Sequence, residues 1–185
     1  KSKDEVKLMQ RAADIACAAQ VAAMRATRHG AYEYEVEAAL QYVYRKHDSV
    51  AAYEPIVGAG HNACVLHYRA NNAAMKDGDL LLVDAGAEFA NYASDITRTW
   101  PVSGVYSKEQ AALYELVLSA QKAALEKARP GKHWIAGHDA AVEVLTDGLL
   151  SLGLLKGTLK HSLASGDYKR FYMHKTGHWL GLDVH

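Results

Sequence analysis

The segment from Asp84 to Asp95, DAGAEFANYASD, most constrains what this chain can fold into. An apolar LLLV run precedes it and ITRTWPV follows it, a pattern typical of a strand, a tight turn and a second strand. If the turn is centred between Phe89 and Ala90, the two aspartates face each other across an antiparallel pair, with Cβ atoms about 4.5–5.5 Å apart. Carboxylates that close repel each other unless cations lie between them, and two divalent metal ions would fit. For the pair alone, two solvated aspartates near a hairpin end are the alternative interpretation.

Length and charge exclude several function classes. The chain has 185 residues, enough for one large domain or two small ones. Its 21 basic and 21 acidic residues balance, so nothing in the charge favours a nucleic-acid or membrane partner. We find no apolar run long enough to span a bilayer and no signal peptide in the N-terminal sequence. Cys17 and Cys64 suggest neither a metal knuckle nor a disulfide, which is typical of a reducing compartment such as the cytoplasm.

Helix signals flank a β-rich centre. The capping patterns S-x-x-E at Ser2 and S-x-x-Q at Ser107 each predict a helix start. Four helices are predicted, at about residues 2–28, 34–47, 108–128 and 139–152. PIVGAG and CVLHY are predicted as short strands around a turn at residues 61–62. This order of elements predicts an α+β fold with helices packed on one face of an antiparallel sheet.

Three histidines lie close together in HKTGHWLGLDVH, at positions 174, 178 and 185. If this segment is a strand, His174 and His178 share a face, and the glycines must bend the chain for His185 to join them. An irregular conformation is the other possibility, because Gly177 and Gly181 argue against a stable helix. A single histidine is more often structural than a ligand, but this density makes a functional cluster an equal alternative.

Several motifs together resemble a known family. They are DAG-x8-D followed by ITRTWPVSG, HxxGHWLGLDVH, the initial KSKDEVKLMQRAADIA, and IVGAGHNACVLHYRANN. They resemble the catalytic domain of the Xaa-Pro aminopeptidases, in the pita-bread-fold metallopeptidase family that also contains prolidase and methionine aminopeptidase. The resemblance covers nearly the whole chain. It implies a curved antiparallel sheet carrying helices, and hydrolysis of an N-terminal Xaa-Pro bond by water activated between two metal ions.

The resemblance also implies metal ligands. Asp84 would bind one ion, Asp95 would bridge both, and His178 would be the single imidazole ligand. A carboxylate-rich site with one histidine suits hard or borderline cations. Mn²⁺ is therefore our first expectation, with Co²⁺, Fe²⁺ and Zn²⁺ as alternatives.

The remaining histidines are implied to act on the substrate. His67 matches a histidine that contacts the substrate or the developing oxyanion. His185 matches one that stabilises the tetrahedral intermediate, and His174 lies on the substrate side. The implied substrates are peptides with proline at the second position.

The family's site also uses two glutamates downstream of HWLGLDVH, whereas this sequence ends at His185. We therefore expect residues 1–185 to be a metallopeptidase catalytic domain truncated at its C-terminus, with three of the family's five ligands. Such a chain is expected to bind metal weakly and to show little activity by itself. The parent protein is expected to form homo-oligomers.

Two alternatives remain open at this point. The first alternative, from the same enzyme family, is prolidase, which cleaves only dipeptides. The second, of another functional class, is a non-catalytic pita-bread domain that binds peptides or proteins. The presence of Asp84, Asp95 and His178 favours an enzyme, since a binding domain does not need metal ligands.

Overall fold

The computed structural model describes residues 1–185, which form two compact units. The first unit contains Lys1–Tyr106 and Trp179–His185, and the second contains Ser107–His178. No helix combines the length and the hydropathy that a membrane span requires.

The first unit opens with two helices, α1 (Lys3–Ala26) and α2 (Glu33–Lys46). α1 begins with the predicted capping box: the Ser2 hydroxyl accepts from the Glu5 N–H, and the Glu5 carboxylate accepts from the Ser2 N–H. α1 ends slightly earlier than predicted because the Thr27 N–H and hydroxyl both bond to the carbonyl of Ala23.

Six short strands complete the first unit. They are β1 (Val50–Ala51), β2 (Ile56–Ala59), β3 (Leu80–Ala85), β4 (Ala87–Phe89), β5 (Tyr92–Ala93) and β6 (Ile96–Pro101). They form two antiparallel sheets of three strands each, in the orders β1-β4-β5 and β2-β3-β6. The chain passes from the second sheet to the first after β3 and returns before β6, so the residues at these crossings lie at a bend.

α1 and α2 pack with the strands around one hydrophobic core. Its largest fully buried apolar side chains are those of Ile15, Leu40, Tyr44, Met75 and Leu81. Burying each of the four aliphatic side chains among these contributes roughly 1.5–3 kcal/mol. The buried face of α1 also contains Gln20, whose amide donates to the carbonyl oxygen of Ile96 at 2.8 Å and so ties the helix to β6.

The hairpin register differs from the prediction. Phe89 pairs with Tyr92, so the turn is centred one residue later than expected. Its central residues, Ala90 and Asn91, have φ of 49° and 68°, the left-handed values of a type I′ hairpin turn. The predicted opposition of Asp84 and Asp95 is therefore wrong in detail.

In the observed register Asp84 lies opposite Thr97, and Asp95 lies diagonally displaced. Gly86 permits this arrangement at the bend between β3 and β4. A Cβ atom at Gly86 would overlap the carbonyl oxygen of Ser94, so only glycine allows the two chains to approach this closely.

The predicted strand at CVLHY is also wrong. Residues 60–64 form a 3₁₀ helix, and residues 65–68 have no strand partner. The side chain of Asn62 and the hydroxyl of Tyr68 both donate to the carboxylate of Glu33. Because these bonds curl the chain toward Glu33, its backbone does not extend along a neighbouring strand.

The second unit is helical. It contains α3 (Lys108–Lys127), α4 (Ile135–Ser151) and α5 (Leu159–Ser165). The capping box predicted for α3 is present, and α3 packs on α4 through Ala120, Ala124, Ala141 and Leu145. α4 begins earlier than predicted, and the short α5 was not predicted, because seven residues carry too little periodicity. From residue 171 onward the chain is irregular, with no strand.

Candidate active site

The first unit brings the two aspartates of the DAG-x8-D motif together. Asp84 lies near the end of β3 and Asp95 directly precedes β6, and both are half-buried. The hydroxyl of Tyr53 lies 2.5 Å from Oδ1 of Asp84 and 2.9 Å from Oδ1 of Asp95. Two carboxylates thus converge on a single hydroxyl group, although by a register other than the predicted one.

The arrangement of Asp84, Asp95 and Tyr53 is electrostatically unfavourable without a cation. A phenol has one hydrogen to donate, so it cannot fully satisfy two carboxylates. Burial raises the pKa of Asp84, the Tyr53 hydrogen bond opposes that change, and the charge of Asp95 raises the pKa further. Burial and both carboxylates raise the pKa of Tyr53, which keeps it a neutral donor.

This donor set fits a hard or borderline divalent cation, because it offers carboxylate oxygens in a partly desolvated place with excess negative charge. Nowhere in the chain do three or more His, Cys, Asp or Glu side chains gather in a metal-binding arrangement. The structure therefore assembles a carboxylate pair, and the assignment of His178 as a third ligand stays a prediction.

Ser94 holds the bend that positions Asp95. Its hydroxyl accepts from the N–H of Ala87 at 2.9 Å and lies 2.8 Å from the carbonyl of Ala87 and 3.2 Å from that of Ala12. Neither Ser94 nor Tyr53 was identified from the sequence. Both are ordinary residue types outside any spacing pattern, so only the fold reveals their role.

His67 lies on the loop between β2 and β3 and is exposed. Its φ of 55° places it in the left-handed region. For a residue with a side chain this conformation costs about 1–3 kcal/mol, and such strain is concentrated at functional sites. The backbone at His67 is thus held by its surroundings, and the role of His67 stays a prediction.

The other predicted histidines lie near the end of the chain and are exposed. His185 belongs to the first unit, where the N–H of Ala93 donates to the carbonyl of Gly181 at 2.8 Å and ties this segment to β5. His174 and His178 belong to the second unit. Their roles stay predictions.

A polar cluster in the second unit was not predicted. The Thr176 hydroxyl lies 3.0 Å from Nδ1 of His138 and 2.6 Å from the hydroxyl of Tyr172. The Tyr172 ring in turn meets His174 edge-on, with 5.0 Å between ring centroids. Burial lowers the pKa of His138, and the positive charge of Lys175 lowers it further. These contacts order the segment that contains His174.

Two open clefts of the first unit differ in whether they include a predicted site residue. One of about 560 Å³ surrounds Trp100 at the end of α1 and includes none of the predicted site residues. A smaller one of about 330 Å³ is bordered by Asp95, Met9 and Leu180. The site is therefore located by the converging carboxylates, of which Asp95 borders the smaller of these two clefts.

Comparison with known proteins identifies the family. The family model "Metallopeptidase family M24" matches residues 7–185. The whole chain aligns with the Xaa-Pro aminopeptidase of Haemophilus influenzae at 46% identity and with that of Escherichia coli at 40% identity. It covers 43% and 42% of those proteins, so it spans about two fifths of the length of these relatives.

Comparison with solved structures gives the same family. The chain superposes on Pseudomonas aeruginosa aminopeptidase PepP with a TM-score of 0.99 at 54% identity. It superposes on a variant of Escherichia coli aminopeptidase P in complex with substrate with a TM-score of 0.98 at 40% identity. All of this chain and 42% of each of those chains are covered. The predicted α+β pita-bread fold is confirmed, and the chain belongs to metallopeptidase family M24.

Proposed function

We propose that the protein containing this chain is a metal-dependent Xaa-Pro aminopeptidase. The observation that carries the proposal is the convergence of Asp84 and Asp95 on one hydroxyl, in a chain that aligns from end to end with Xaa-Pro aminopeptidases. The substrates would be peptides with proline at the second position.

Asp84 and Asp95 would hold two divalent cations, Asp95 as the shared ligand, with His178 completing the set available in this chain. Mn²⁺ fits the oxygen-rich donors best, although Escherichia coli aminopeptidase P is also known in a zinc-substituted form with product. When bound, the cations would lower the pKa of a water molecule and polarise the peptide carbonyl.

The side chains of this chain would orient the metal-binding carboxylates and stabilise the charge that develops on the substrate. Tyr53 restrains the carboxylates of Asp84 and Asp95, which limits how far they reorganise on binding a cation. His67 and His185 would donate to the carbonyl oxygen as negative charge develops there. His174 would face the substrate, and the proline nitrogen would receive a proton from a general acid or water as it leaves.

Variants of a relative point to the same four histidines. Four structures of Escherichia coli aminopeptidase P each carry a single histidine-to-alanine substitution. The spacing of those four positions along the relative equals the spacing of His67, His174, His178 and His185 here. The glutamate replaced in the substrate complex follows all four histidines in the relative, as expected for further carboxylates downstream of HWLGLDVH.

The proposal extends to compartment and assembly. Cys17 and Cys64 are exposed free thiols, which are stable in a reducing compartment, so we place the protein in the cytoplasm. The full-length protein would form a homo-oligomer, and its mass by light scattering would be a multiple of the mass of one chain. A monomer would contradict this part of the proposal.

Hydrolysis assays test the activity. The full-length protein loaded with Mn²⁺ should release the first residue from a tripeptide with proline second, and Asp95→Asn should abolish that activity. Asp147→Asn, the same change at an exposed position of α4, is the control and should retain it. Cleavage of dipeptides alone would identify a prolidase, and absence of any cleavage would favour the non-catalytic binding domain.

A further inference from the structure

Glu33, the first residue of α2, is fully buried and accepts four hydrogen bonds. Its Oε1 accepts from the N–H of Ala59 at 2.8 Å and from the amide of Asn62 at 3.0 Å. Its Oε2 accepts from the hydroxyl of Tyr68 at 2.9 Å and from the N–H of Ala73 at 3.0 Å. A buried carboxylate is stable only when donors satisfy it, and these donors come from both ends of one loop.

Asn71 anchors the same loop a second time. It is 3% exposed, and its Oδ1 accepts from the N–H of Val57 at 3.0 Å. Its amide donates to the carbonyl of Pro55 at 2.8 Å and to the carboxylate of Glu37 at 2.9 Å. The loop is therefore fixed both to α2 and to β2.

The segment held in this way, residues 60–72, contains His67. Gly60, His67 and Asn71 all have positive φ, of 55°, 55° and 42°. Gly60 adopts this conformation freely, whereas at His67 and Asn71 it costs free energy and persists because the surroundings enforce it. β2, whose Val57 and Ala59 N–H groups donate to Asn71 and Glu33, pairs with β3 so that Ile56 lies opposite Asp84. The anchors thus set where the loop lies relative to the strand that carries the first aspartate.

We propose that Glu33 is a positioning residue for the reaction, because its buried carboxylate clamps residues 60–72 so that the exposed His67 meets the substrate. This inference rests on the proposed function. Glu33 does not act on the substrate, and it affects turnover only through His67.

Glu33→Gln tests the clamp with little change in side-chain shape. The new amide replaces an acceptor oxygen with a donor that faces two other donors, so two of the four bonds are lost. Displacement of His67 by about 1 Å should lower kcat by about a hundredfold. The KM should change far less, because the binding contacts elsewhere remain.

A matched control separates positioning from stability. Val36 is fully buried on the same helix and takes no part in the side-chain hydrogen bonds that hold the loop, so Val36→Ala should destabilise the fold while leaving those bonds in place. In the metal-loaded full-length protein, Val36→Ala should keep the kcat of the wild type at a temperature where both variants are folded. A similar fall in kcat for Val36→Ala and Glu33→Gln would overturn the proposal.

The decisive comparison uses His67→Ala. If Glu33 acts through His67, then Glu33→Gln should lower kcat by less than about twofold when His67 is already alanine. An equal loss of kcat in both backgrounds would overturn the proposal. If Glu33→Gln does not fold, Tyr68→Phe removes one of the four bonds and should show the same dependence on His67.

Hydrogen exchange tests the clamp independently of the proposed activity. The amides of residues 60–72 should exchange faster in Glu33→Gln than its loss of global stability accounts for, and no faster than that loss accounts for in Val36→Ala. Unchanged exchange in Glu33→Gln would overturn the clamp even if the enzyme cleaves Xaa-Pro peptides. If the wild type cleaves no peptide, the proposed function fails, while the exchange comparison still decides whether Glu33 holds the loop.

Discussion

Replacing Tyr53 with phenylalanine should destabilise the metal-free fold through the two aspartates. The ring stays in place, so no cavity forms, and the only loss is the hydroxyl that meets Asp84 at 2.5 Å and Asp95 at 2.9 Å. The carboxylates then keep their mutual repulsion without their shared donor.

The size of the effect follows from the kind of bond. Hydrogen bonds to charged groups contribute about 1.5–3 kcal/mol, and all three side chains here are half-buried, so water replaces the lost donor only in part. For a protein of this length each kcal/mol shifts Tm by about 2–4 °C. Tyr53→Phe should therefore lower the Tm of the chain by about 3–12 °C.

Thermal unfolding followed by circular dichroism, with chelator present, measures this shift. Tyr42→Phe, the same change at a side chain that is 68% exposed, is the control and should leave Tm unchanged. Addition of Mn²⁺ should recover part of the loss, because cations would take over the role of the missing donor. A Tm for Tyr53→Phe equal to that of the wild type in chelator would refute this account of the aspartate pair.

Three further perturbations probe one bend next to the site and the caps of two helices. Gly86→Ala should cost more than about 3 kcal/mol in denaturant unfolding, because its Cβ would overlap the carbonyl of Ser94; a near-neutral variant would disprove the close approach. Ser107→Ala should remove about 1 kcal/mol by deleting the N-cap of α3, and an unchanged urea midpoint would contradict the cap. The hydrogen bond from the Ser2 N–H, and after it that from Tyr92, lowers the pKa of Glu5. The ionised Glu5 therefore stabilises the fold above the ordinary glutamate pKa, and this stabilisation is lost as pH falls through the lowered pKa. The stability difference between the wild type and Glu5→Gln should thus vanish in acid, and a difference that persists at all pH values would contradict it.

The sequence predicted those elements that depend on local patterns. The capping boxes at Ser2 and Ser107 are local because a helix start needs only residues within one turn of each other. The α+β class followed from the order of such elements. The motif also identified both aspartates correctly as neighbours in space.

What the sequence could not predict depends on contacts between distant residues. The register of the hairpin was wrong because it depends on the left-handed turn at Ala90 and Asn91, whose conformation no residue there demands. The strand at CVLHY was wrong because the buried Glu33, distant in sequence, accepts hydrogen bonds from Tyr68 in that segment and from Asn62 just before it. Tyr53 was missed for the same reason, since its partners are far along the chain.

The most direct test of the central claim is the metal content of the purified full-length protein, compared between the wild type and Asp95→Asn by elemental analysis. If Asp84 and Asp95 hold the catalytic cations, the wild type should contain about two divalent ions per chain, and Asp95→Asn less than one. Hydrolysis of a tripeptide with proline second should fall in parallel. Equal metal content in the two proteins would contradict the assignment of Asp95 as the shared ligand, and full activity of Asp95→Asn would contradict the proposed chemistry.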